Sequence, residues 1–386
     1  MTIPALGRTA LIASSLVGLL LAGCTTDNSP SGDAIAVQSG SDTCDLSTTE
    51  TPAGTVTFRV ENTGSEVTEF YLLAEDGLRI VGEVENIGPG LTRDLVVLAP
   101  DGRYVTACKP GMKGDGIRAD FTVTPSDANL TPVGDEAKLI AQANTNYAAY
   151  VKDQSAQLLA KTERFVELVK AGKDDEARAL YPVARTHWER IETVAESFGD
   201  LDPRMDAREA DLEQGQVWTG WHVLEKDLWP ARAVGYTPLT QAERARIADQ
   251  LLADTRTLDA RVRELSYTAD QIANGSRGLL EEVATGKVTG EEEYWSRTDL
   301  WDFQANVDGA RVAFEGLRAL VERKDPELAN EIASEFDDLQ QLLDQHRRGE
   351  GFVTYDELTP AQVKALSDAV NALSEPLSRL TAVVVG

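Results

Sequence analysis

Histidine and cysteine are scarce in this chain, with three of each in 386 residues. The histidines, His187, His222 and His346, all follow the last cysteine, Cys108, so the two ligand types lie in different parts of the sequence. A blue-copper centre needs two imidazoles beside a thiolate, and the cysteine-bearing region has no imidazole to offer. No His-Glu-x-x-His element occurs, which removes the usual signature of a zinc peptidase. Aromatic residues make up only 6%, little for a glycan-binding cleft. Positive charge is also in deficit. Against 64 acidic side chains stand 37 basic ones, a net charge of -27, so no basic stripe exists to displace counterions from a nucleic acid. A field of that sign attracts cations.

The N-terminal apolar run, residues 11–22, is too short to span a bilayer and follows the basic Arg8. It reads as the hydrophobic part of a secretion signal. It closes on Leu21-Ala22-Gly23-Cys24, which resembles a bacterial lipobox. The expectation is a signal peptide over 1–23, with Cys24 lipidated as the mature N-terminus. A polar tether over 24–33 would hold the rest at the membrane, in the periplasm or on the outer face of the cell membrane.

From 34 to 125 short alternating runs (55–60, 68–73, 78–84, 91–98, 104–107 and 121–123) are separated by Asn62-Thr63-Gly64, Asp76-Gly77, Gly88-Pro89-Gly90 and Asp101-Gly102. This pattern predicts a small antiparallel β-sandwich. Residues 126–134 read as a linker. From 135 to 386 glycine and proline thin out, and helices are expected over 136–171, 174–197, 213–229, 241–273, 292–322, 326–346 and 360–380. The fold class is thus multidomain β + α, a sandwich followed by an all-α bundle domain.

On the helix predicted for 213–229, Trp218, His222, Glu225 and Trp229 share one face at about 100° per residue. A carboxylate on that buried face needs a partner or a cation. A His–Glu hydrogen bond and a metal site fit the spacing equally. In His187-Trp188-Glu189-Arg190-Ile191-Glu192, Glu189 and Glu192 lie three apart and repel unless a proton or a cation intervenes. Arg185, one turn earlier, offers a salt-bridge alternative. His187 points away from the pair, Asp206 lies in the loop just beyond, and His346 reads as exposed. In the segment beginning at Thr298, Asp299, Asp302 and Asn306 form a polar stripe, and Glu291-Glu292-Glu293 reads as compensation for a helix dipole.

These stretches, together with Gly220-Trp221-His222-Val223-Leu224-Glu225 and Thr298-Asp299-Leu300-Trp301-Asp302-Phe303-Gln304-Ala305-Asn306, resemble the signatures of EfeO proteins. The helical part of those proteins is imelysin-like, a group once filed as peptidase family M75. The resemblance spans nearly the whole mature chain. It implies two packed four-helix bundles and a metal site of Glu189, Glu192, Asp206, His222 and Glu225. Mostly oxygen with one imidazole suits iron, ferric iron above all, with zinc or manganese as substitutes. It further implies iron capture beside an EfeU-type permease and an EfeB-type (DyP) haem peroxidase. The alternatives are a ferroxidase, a metallopeptidase or a polysaccharide-binding surface protein.

Cys44 and Cys108 form an even pair outside the cytoplasm, for which a disulfide is the default. Cys108-Lys109-Pro110-Gly111-Met112 resembles the closing loop of a cupredoxin, so the sandwich is expected to be cupredoxin-like. The EfeO resemblance suggests a second site there, Cys44 and Cys108 with Glu69 and a weak Met112, able to take copper. A solvent-facing Glu69 is the competing reading.

Overall fold

A computed structural model describes residues 34–127, 133–212 and 215–386. The signal peptide, Cys24 and the tether lie outside the described residues.

The first part is built from nine strands: β1 Ile35–Ser39, β2 Cys44–Leu46, β3 Glu50–Pro52, β4 Gly54–Asn62, β5 Thr68–Ala74, β6 Ile80–Ile87, β7 Thr92–Ala99, β8 Gly102–Cys108 and β9 Ile117–Thr124. They form two sheets, ordered β2-β1-β4-β7 and β3-β9-β8-β5-β6. The sheets are mixed rather than wholly antiparallel. β1 runs parallel to β4 and β3 parallel to β9, pairings that period-two alternation cannot reveal because it fixes a strand's faces and not its partner. Phe58, Phe70 and Phe121 fill the space between the sheets, with ring centroids 5.2 and 5.3 Å apart.

The rest is helical: α1 Gly134–Lys170, α2 Asp174–Glu189, α3 Glu192–Glu196, α4 Asp202–Met205, α5 Trp221–Leu228, α6 Gln241–Glu264, α7 Ala269–Thr285, α8 Asp299–Lys324, α9 Pro326–Asp344, α10 Pro360–Leu377 and α11 Leu380–Val385. α8 packs against α1 and α2 on one side and α7 and α9 on the other, while α6 joins α1 and α10 joins α7 and α9. Two bundles therefore share one long helix.

Several helices expected from the sequence are broken in two. The 174–197 stretch divides at Arg190–Ile191, and 241–273 divides after Glu264. Among the described residues of the 213–229 stretch, Trp221–Leu228 is the helical part, and the 292–322 helix begins at Asp299. The breaks at 190–191, before Trp221 and before Asp299 adjoin buried polar groups. At the first, the Asn306 amide on α8 donates to the freed Glu189 carbonyl at 2.8 Å.

α7 lies along the sandwich. Asn274 donates to Val96 O at 2.9 Å, Arg277 to Glu83 O at 2.9 Å, and Asp270 accepts from Leu98 N at 2.8 Å. Among the described residues no helix is long and apolar enough to cross a membrane.

Candidate metal centre

The centre assembles from four stretches that converge beside α8. α2 supplies Arg185 and Glu189, with Glu192 just past the break. Asp206 follows the end of α4, α5 carries His222 and Glu225, and the 287–296 turn brings Lys287, Glu292 and Glu293. Gly220 makes the approach of α5 to α4 possible. Its φ is +91°, and a Cβ there would sit 2.1 Å from the Met205 carbonyl oxygen. Only glycine allows the chain to pass this close, and the passage seats His222 over Asp206.

His222 is buried between two groups of carboxylates. Nδ1 faces Glu225 Oε2 at 3.3 Å, while Nε2 faces Asp206 Oδ1 at 3.4 Å and Glu292 Oε1 at 3.3 Å. The other Glu225 oxygen accepts from the backbone of Trp295 (2.8 Å) and Ser296 (2.6 Å). Glu225 is therefore held fast and fixes the ring, the arrangement by which carboxylates orient metal-binding imidazoles. Nε2 has no well-directed hydrogen bond among the described residues. Ligand atoms of Asp206, His222 and Glu292 lie within 4.8 Å of one another, as do those of His222, Glu225 and Glu293 and those of Glu189, Glu192 and Asp206.

Two fully buried side-chain cations sit among these acids, and the half-buried Arg208 lies 3.7 Å from Glu292 Oε2. Arg185 contacts Asp206 and Glu189 closely through its two Nη atoms. It also reaches Glu292 Oε1 at 3.1 Å, Glu293 Oε1 at 2.5 Å and Asp302 Oδ1 at 3.7 Å. Lys287 Nζ bridges Glu192 Oε2 at 2.8 Å and Glu189 Oε2 at 3.1 Å. The Asn306 amide reaches Glu192 at 2.8 Å.

Electrostatics divides the carboxylates. Burial, then the charge of Glu192, pushes Glu189 well above the usual range against Lys287 and Arg185. Burial and Glu225 raise Glu293 to about 8, and burial raises Asp299 to about 7. Asp302 is driven well up by burial and then by Glu293 and Glu189. Glu292 goes the other way. Burial opposes its charge, but Lys287, His222 and Arg185 together hold it well below the usual range. For His222, burial and Arg185 disfavour the cation, yet its carboxylate neighbours Glu225, Glu292 and Asp206 raise it well above an ordinary imidazole.

All five residues expected at the centre, Glu189, Glu192, Asp206, His222 and Glu225, are therefore brought together. The sequence reading left out Glu292, Glu293 and Lys287. The Glu291–Glu293 run does not start a helix; it folds back over the site in a turn, so the helix-dipole reading is corrected. Asp302 and Asn306 point into the same centre. Trp218 precedes α5, where its indole donates to Ala207 O at 2.7 Å. His187 pairs with Gln154 at 2.8 Å, away from the acids. His346 is buried rather than exposed.

Asp206 is 9% exposed. With Glu192 and Glu292 it opens onto a cleft of about 580 Å³, whose opposite wall carries Tyr71, Lys109 and Met112 of the sandwich. The cleft thus reaches Asp206 and Glu292 from between the two folds, and His222 lies buried behind them.

In the sandwich, Cys44 and Cys108 are joined by a disulfide, with Cα atoms 5.6 Å apart. It ties β2 of one sheet to β8 of the other. A disulfide offers no thiolate to a metal, so of the two readings of this pair the covalent one holds, and the copper reading loses both of its thiolate ligands. Glu69 is buried, correcting the solvent-facing alternative, and its Oε2 accepts from the Tyr71 hydroxyl at 2.6 Å and lies 3.9 Å from Lys109 Nζ. Met112 is 41% exposed.

These features define a class: a helical-bundle protein with a buried imidazole facing carboxylates, preceded by a disulfide-linked β domain. The imelysin (peptidase M75) family profile matches residues 143–380. The chain is 38% identical over 344 residues to the iron uptake system component EfeO of Yersinia pestis, covering 88% of both chains. It is 36% identical over 352 residues to the Escherichia coli O157:H7 protein of that name, again covering 88% of both. To an Efem/EfeO family lipoprotein of Staphylococcus haemolyticus it is 40% identical over 70% of this chain and 93% of that one. A solved structure described as an iron-regulated protein A precursor from Parabacteroides distasonis aligns with a TM-score of 0.50 at 16% identity, over 67% of this chain and 98% of that one; that likeness is one of fold. The chain belongs to the imelysin family and, within it, to the EfeO iron-uptake components.

Proposed function

We propose that the protein captures iron outside the cytoplasm and hands it to a membrane permease of the EfeU type, alongside an EfeB-type peroxidase, while anchored through lipid at Cys24. The observation that carries the reading is His222, clamped by Glu225 on one side and turning an unbonded Nε2 toward Asp206 and Glu292 on the other. In this reading Asp206, His222 and Glu292 hold the cation, with Glu189 and Glu192 in reserve behind Lys287. Oxygen-rich donors with one nitrogen favour iron over copper(I), and zinc or manganese would bind the same atoms. The cleft supplies entry and the net negative charge raises the local cation concentration.

Isothermal titration of the mature protein with ferrous iron under argon, and with a ferric chelate, tests this. His222→Ala should weaken binding about a hundredfold or more, the loss of a principal ligand. Binding unchanged by His222→Ala removes the imidazole from the site. Oxygen consumption on adding ferrous iron would favour the ferroxidase alternative over simple capture.

A further inference from the structure

Asp302 is fully buried on α8, and neither of its carboxylate oxygens has a hydrogen-bond partner among the described residues. A buried acceptor left so is costly, and its position beside Arg185 gives it a use. The guanidinium presents two edges. Its Nη atoms hold Asp206, Glu189 and Glu292, while Nε faces Glu293 at 2.5 Å and Asp302 at 3.7 Å. Asp206 Oδ1 and Glu292 Oε1 are also the two oxygens that face His222 Nε2. A cation seated on the imidazole and those two oxygens would compete with Arg185 for them and repel it at close range.

We infer that Arg185 is a displaceable counter-cation: it neutralises Asp206 and Glu292 until the cargo metal takes them, and it then swings onto Asp302, whose unpaired oxygens are its second berth. The inference rests on the iron-binding reading above. Arg185 and Asp302 are positioning residues here, since neither touches the metal. Keeping a protein cation in the site would keep the acids from repelling one another before iron arrives. The berth on α8 would keep the displaced guanidinium from opposing the metal.

The test is titration of the full mature protein with ferrous iron under argon, for wild type, Asp302→Asn, Arg185→Gln and the double variant. Asp302→Asn changes no proposed ligand, yet it should bind iron about tenfold more weakly, while the metal-free protein melts no lower than wild type because a buried unpaired carboxylate has been removed. In the Arg185→Gln background the same change should cost nothing further, since there is no cation to berth. Should Arg185→Gln not fold, the single Asp302→Asn titration still decides. Wild-type affinity in Asp302→Asn, or an equal loss in both backgrounds, overturns the swap and leaves iron binding standing. A wild-type protein that takes up no iron overturns both.

Discussion

The sandwich and the helical domain bury chemistry-bearing side chains in opposite ways. Among the described residues of the sandwich one acidic or basic side chain, Glu69, is buried, and the cysteines are consumed in a covalent link between sheets. Its interior is aromatic and aliphatic. The helical domain instead places Arg185, Glu189, Glu192, His222, Glu225, Lys287, Glu292, Glu293, Asp299 and Asp302 in its core. Not every buried charge there marks a site. Asp227 accepts from Tyr236 (3.0 Å), Leu239 N (2.8 Å) and Arg244 (2.6 Å), so its oxygens are fully used. The contrast with His222 Nε2 and Asp302 separates structural charge from charge held for a ligand: one is closed, the other has atoms to spare.

The comparison is broken most forcefully at Lys287. Lys287→Met would leave Glu189 and Glu192 facing each other without their ammonium, and loss of one partner from a buried ion cluster costs about 3–5 kcal/mol. Chemical denaturation of the helical domain should show that loss; stability within experimental error of wild type would mean the lysine is not the partner. Replacing both Cys44 and Cys108 by serine should cost the sandwich about 2–4 kcal/mol while iron binding stays as in wild type. A parallel fall in iron affinity would place metal chemistry in the sandwich after all.

The smallest effect is on pH dependence. Glu293 and Asp299 have folded values raised to about 8 and about 7, so the folded state keeps protons that the unfolded chain has already released. Their contribution is complete below the ordinary carboxylate range and is lost as pH rises through those values. His222, also raised, acts in the same direction. The melting temperature of the metal-free protein should fall from about pH 5 to about pH 8, and Glu293→Gln should flatten that slope. A melting temperature that climbs over the same range contradicts the assignment.

How much of this the sequence revealed follows from how local each signal is. The three-residue spacing of His222 and Glu225 places both on one face of a short helix, and the structure keeps that relation. Arg185 could be seen as a salt-bridge alternative in the sector of Glu192, and the structure pairs it with Glu189 instead. Glu292 and Glu293 were hidden because three adjacent acids give no period, and the turn that buries them is fixed by its contacts with α5 and α8. Lys287 gave no sign at all, since a lone lysine between Gly286 and Val288 reads as solvent-exposed until Glu189 and Glu192 are placed beside it. In the sandwich most strand positions were legible from alternation, but β1, β2 and β3 were not, and the parallel pairs that β1 and β3 make depend on distant partners.

Anomalous scattering at the iron edge from crystals grown with iron would locate the bound cation. A peak is expected about 2 Å from His222 Nε2, bounded by Asp206 and Glu292, with the Arg185 guanidinium moved onto Asp302. A peak confined to the sandwich, or one on the carboxylates with the imidazole left uncoordinated, would contradict that placement.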